Sequence, residues 1–147
     1  MRRLALAVLG MVVLGATACT TMDRGMMADK KSLYERLGGK PAITAVVDDF
    51  VANVAADGRI NGRFAGTNIP RLKMMLVDQI CEATGGPCKY MGQSMTDAHR
   101  GMNIMDTEFA ALVEDLVKSL DKFRVPAPEK NELLTALGGM RPQIVGK

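Results

Sequence analysis

Few side chains in this chain could do chemistry. Its 147 residues hold one histidine, His99, with three cysteines, twelve methionines and no tryptophan. A single imidazole excludes a site built on two or more histidines, including a His-rich zinc site. It also leaves a serine, cysteine or carboxylate nucleophile with no acid–base relay to draw on. Cys19, Cys81 and Cys88 form no CxxC pair, which argues against a zinc ribbon or a thioredoxin-like motif. Ligation remains: one imidazole for one position on a metal, and thioethers as soft ligands. Met22, Met26 and Met27 form the one methionine group suited to Cu(I), a rival to a site centred on His99.

Cys81 and Cys88 lie seven residues apart, across the end of a helical segment and its loop. In an oxidising compartment they could pair. So short a loop would contribute about 2–3 kcal/mol by chain entropy. Two buried free thiols are the alternative. Net charge is +3, with both signs interspersed, and aromatics make up 4% of residues. That is neither an electrostatic footprint nor a stacking platform for nucleic acid.

The first eighteen residues, MRRLALAVLGMVVLGATA, stand apart from any fold. Arg2 and Arg3 form a positive start. Leu4 to Leu14 is an apolar run short for a bilayer span, and Ala16-Thr17-Ala18 is a small-residue cleavage site. This is an export signal. Cys19 follows it, as in the lipobox of bacterial lipoproteins, where the thiol is lipidated and becomes the new N-terminus. Ala16 departs from the usual leucine, so cleavage to a soluble periplasmic protein, or an uncleaved anchor, stays open. The expected division is 1–18 signal peptide, 19–31 tether and 32–147 folded domain, with the protein exported, periplasmic and held to the membrane through Cys19.

The elements that must position His99 are helices. Ser32 and Glu35 have capping-box spacing, and Gly38-Gly39 stops that helix at once. Ile43, Val46, Val47, Phe50, Val51 and Val54 then mark one face of a helix over about 41–56, with Asp48, Asp49 and Asn53 outside. Asn68 caps and Pro70 opens a second helix, on which Ile69, Leu72, Leu76, Ile80 and Ala83 share a stripe bordered by Met75 and Gln79. Thr96 to Gly101 allows a helical turn or two around His99. Asp106 begins a third long helix, which Pro126 closes, and Pro128 opens the last, with Leu133, Leu134, Leu137 and Met140 inward. Pro142 bends or ends it. No segment alternates with period two, so strands are not expected.

Two readings of these elements are open. One is a helical bundle in which His99 is an incidental surface residue. In the other, the apolar stripes leave a slot and His99 supplies one ligand to a metal cofactor. Haem suits the second: one imidazole serves one axial side, the porphyrin supplies four nitrogens, and apolar walls bury the ring. Conventional c-type attachment is not expected, because CxxCH is absent.

The order SLYERLGGKPAI, VVDDF at 46–50, FAGTN at 64–68, RLK at 71–73, the double glycine at 85–86 and HRGMNI at 99–104 resembles the group 1 truncated haemoglobins. The likeness covers about residues 32–145. It implies an all-α two-over-two helical sandwich around haem b, one per chain, with iron held by His99. It places Phe64 against the haem face, Phe50, Leu72 and Leu76 along the wall, and Tyr90 near the propionate edge. Core packing for the two phenylalanines, and an ordinary loop tyrosine for Tyr90, are the plainer alternatives.

The departures concern the side where a gas would bind. Val51 stands where the family commonly has a tyrosine that hydrogen-bonds the ligand, and Leu76 where it commonly has glutamine. Met75 stands where some members have a lysine or histidine that ligates iron; it either fills space or serves as a sixth ligand. Gln79 is the remaining neutral polar group near that stripe, either replacing the missing donor or facing water. The resemblance thus implies reversible binding of O2, CO or NO, with an unidentified electron donor as a separate partner. The alternatives are an exported electron-transfer protein with His99/Met75 ligation and a globin-like lipoprotein with no cofactor. Enzymatic turnover, such as NO dioxygenase or peroxidase activity, is left unassigned.

Overall fold

Local sequence rules set most of the helix ends in the computed structural model, which describes residues 31–147. The segments 1–18 and 19–30, with Cys19, Met22, Met26 and Met27, lie outside the described residues. Helix α1 spans Leu33–Arg36 under a complete capping box. The Ser32 hydroxyl accepts from the Glu35 amide at 3.2 Å, and Glu35 Oε2 accepts from the Ser32 amide at 2.8 Å. Gly38, at φ 95°, lets α2, Gly39–Ala56, begin at once. A Cβ there would adopt a strained φ and meet the Ala42 Cβ at 3.0 Å.

A 3-10 turn, Asn61–Phe64, leads to α3, Ile69–Ala83, where the Asn68 side chain accepts from the Arg71 amide. Helix α4 is one turn, Met95–Ala98, with Ser94 at its N-cap and His99 at its C-cap. Helix α5 spans Asp106–Lys122 and α6 spans Ala127–Gly138, and Pro142 sits in a closing 3-10 turn, Arg141–Gln143. The α5 helix ends before Pro126. Arg124, at φ 55°, turns the chain left-handed and lets the Val125 amide reach the Leu120 carbonyl at 2.9 Å, a Schellman closure. Among the described residues there is no strand, only an isolated bridge between Ile104 and Val145, and no helix long and apolar enough to cross a membrane.

Helix α2 packs against both α3 and α5, and α5 packs against α6, a two-over-two arrangement. All six expected apolar residues of α2 are buried, with Val47, Cys81, Ala111, Leu120 and Leu133 at the centre of the core. Full burial of a side chain such as Leu120 contributes about 1.5–3 kcal/mol.

Two expected faces differ. Only Asp48 of the outward trio on α2 is exposed. Helix α5 crosses the Asp49 and Asn53 side: Asn53 donates to the Ser119 hydroxyl, which donates to Asp49, each at 2.9 Å, and Lys122 pairs with Asp49. The ammonium of Lys122, then the Ser119 and Asn53 hydrogen bonds, hold the Asp49 carboxyl below the usual carboxylate range. On α3 the buried residues are Val77, Ile80 and Cys81, whereas Leu72 and Leu76 are half-buried and Ala83 is exposed. One side of α3 meets the core and another lines an open space.

Cys81 and Cys88 are joined by a disulfide with Cα atoms 5.7 Å apart. Gly86 lies against it: a Cβ there would come within 2.6 Å of both Cys81 Sγ and the Tyr34 ring. The double-glycine stop thus lets the loop fold back onto α3.

Candidate functional site

The open space is a cavity of about 390 Å³, walled by α2, α3, the α4 turn, α5 and α6. Its size suits a small organic cofactor. Helix α2 contributes Phe50, Val51 and Val54; α3 contributes Leu72, Met75, Leu76 and Gln79; Phe64 closes one corner. Tyr90 and His99 also line it. The residues that the family resemblance singled out all line this one cavity.

His99 is half-buried, and its setting follows from the short helix it ends. The Met95 carbonyl accepts the His99 amide at 3.2 Å and faces Nδ1 at 2.8 Å. A carbonyl can only accept, so Nδ1 carries the hydrogen, and in the neutral ring Nε2 then holds the lone pair. An imidazole oriented in this way is prepared to ligate through Nε2. Among the described residues no group of three or more His, Cys, Asp or Glu could hold a bare metal ion. The donor set fits a cofactor that brings most of its own ligands.

Three polar side chains around the cavity, Tyr90, Arg63 and Gln79, are engaged. Tyr90 donates its hydroxyl to the Gln93 carbonyl at 3.0 Å, and burial raises its phenol pKa above the ordinary value. Arg63 grips Glu108 with two bonds, at 2.7 and 2.9 Å, and donates to the Met102 carbonyl at 3.0 Å. That grip holds the Glu108 carboxyl below its usual range. Gln79 is half-buried, and its amide donates to the sulfurs of Met95 at 3.2 Å and Met140 at 3.5 Å.

Sequence reasoning missed Arg63, Met95 and Met102 in this wall. Met95 carried a usable signal, since it lies one helical turn before the sole histidine. Arg63 and Met102 carried none, because their contacts span 39 residues or more.

The model of the family described as bacterial-like globin matches residues 32–145. The chain is a bacterial-like globin of the group 1 truncated haemoglobin family. It is 36% identical over 123 residues to a group 1 truncated haemoglobin of Mycolicibacterium paratuberculosis, covering 84% of this chain and 90% of that one. Among solved structures, this globin superposes on the Fe(III) form of truncated haemoglobin from Tetrahymena pyriformis with a TM-score of 0.77 at 33% identity, covering 80% of this chain and all of that one. A 2/2 haemoglobin of Synechococcus, solved in the cyanomet state with covalently attached haem, gives a TM-score of 0.74 at 32% identity, covering 78% and 98%. The two-over-two fold expected of the globin domain is therefore present. The globin's cavity is lined by Phe50, Phe64 and His99 together with the apolar or thioether side chains of Val51, Leu76 and Met75.

Proposed function

We propose that this globin binds one haem b and takes a diatomic gas, O2, CO or NO, with His99 as the iron ligand on one side and Val51, Met75 and Leu76 facing the gas on the other. The observation that carries the proposal is the His99 ring, set by the Met95 carbonyl at 2.8 Å and lining an apolar cavity of about 390 Å³. When bound, haem would supply the iron and four of its ligands. The chain's part is to bury the ring, present Nε2 and limit water. Phe64 and Phe50 would pack on the macrocycle, and Tyr90 would sit near its propionate edge.

Met75 lines the same cavity, which supports a second reading: His99/Met75 ligation in a one-electron carrier. A haem titration followed by absorption separates the two. A five-coordinate ferrous spectrum without added ligand is expected for the gas binder, and a low-spin six-coordinate one for the carrier. His99→Gly should lose most haem or need added imidazole to restore it. Full haem retention with an unchanged spectrum would refute the assignment of His99. No haem band in the wild type would favour the cofactor-free alternative.

A further inference from the structure

We propose that Gln79 is a positioning residue for His99, acting through Met95; the iron-facing part of this proposal rests on the haem-binding reading above. Helix α4 is four residues long, and so short a helix has little stability of its own. Its orientation must come from contacts outside it. Met95 is its first residue, and both the amide and the ring of His99 depend on the Met95 carbonyl, at 3.2 and 2.8 Å. The other end of Met95, its thioether, is held from α3 by the Gln79 amide at 3.2 Å. The same amide nitrogen lies 3.5 Å from the Met140 sulfur, so Gln79 joins α3, the α4 turn and the turn that follows α6. Sulfur is a weak acceptor, and the half-buried amide makes both of these contacts with it. At the far end of the same segment, Arg63 holds the Met102 carbonyl at 3.0 Å. His99 thus lies between two anchor points, and Gln79 supplies the one nearer the carbonyl that orients the ring. An apolar side chain at 79 could fill the same space, but it could not direct Met95.

His99 is the sole imidazole, so a long-range proton–nitrogen NMR spectrum of the untagged full chain reports one histidine ring. The wild type, Gln79→Leu, Met95→Leu and the double variant would be compared without haem and after haem loading. Met95→Leu removes the thioether and keeps the carbonyl. Without haem, the wild type should show the Nδ1-protonated tautomer, each single variant should reduce its population, and the double variant should go no further. With haem, the iron–imidazole stretch should move in both single variants, and haem loss should quicken about two- to tenfold. An unchanged tautomer and stretch in Gln79→Leu, with only a lowered melting temperature, would overturn the proposal in favour of space filling. So would effects that simply add in the double variant. If Gln79→Leu does not fold, Met95→Leu decides on the same two readouts. A wild type that takes up no haem refutes the function proposed above, while the tautomer comparison still decides the role of Gln79.

Discussion

Replacing Val51 with tyrosine should slow O2 release by about 10- to 100-fold. Val51 is 7% exposed and lines the cavity beside Leu76, so neither position offers a hydrogen bond. Three nearby polar groups are already committed. Gln79 donates to two sulfurs, Tyr90 to the Gln93 carbonyl, and Arg63 to Glu108 and Met102. O2 on ferrous haem gains partial negative charge, and a hydrogen bond to such a group contributes roughly 1.5–3 kcal/mol. At about 1.4 kcal/mol per factor of ten, that gives the stated range. CO gains little charge, so its release should barely change. Leu76→Gln, a substitution of similar size, should act in the same direction with less crowding. Stopped-flow displacement of O2 by CO and flash photolysis of the CO form measure the two rates. A wild type that already releases O2 as slowly as Val51→Tyr, and is not accelerated by Gln79→Leu, would refute the argument from an apolar pocket.

Met75→Leu should leave a five-coordinate ferrous spectrum unchanged; conversion of a six-coordinate spectrum into a five-coordinate one would make Met75 the sixth ligand and favour the electron carrier. Replacing Cys81 and Cys88 together with serine should cost about 2.5 kcal/mol in the chain-entropy estimate for so short a loop, read as a lower melting temperature. Thiol labelling of the exported, unreduced, denatured protein should find neither cysteine reactive, and two reactive thiols at these positions would reject the bond. We further propose that Cys19 is lipidated after export: Cys19→Ser should move the protein from the membrane fraction to the soluble one, and a wild type already soluble on fractionation would refute it.

The helices were legible in the sequence because their signals are local. Ser32 with Glu35, Asn68 with Arg71 and the spacing of Ile43 to Val54 act within a turn or two of chain, and each lies where the structure has it. His99 stood out by elimination, as the only imidazole. Tertiary packing decided what each face meets. Periodicity shows that a face of α3 is apolar, but not that Val77 and Cys81 join the core while Leu72 and Leu76 line a cavity. It marked Asp49 and Asn53 as outward because they are polar, whereas α5 covers them with a serine and a lysine that satisfy them. The partners of Gln79 lie 16 and 61 residues away, and no local rule reaches that far. A side chain's own polarity is written in the sequence; the partner that satisfies it is chosen only when distant segments are brought together.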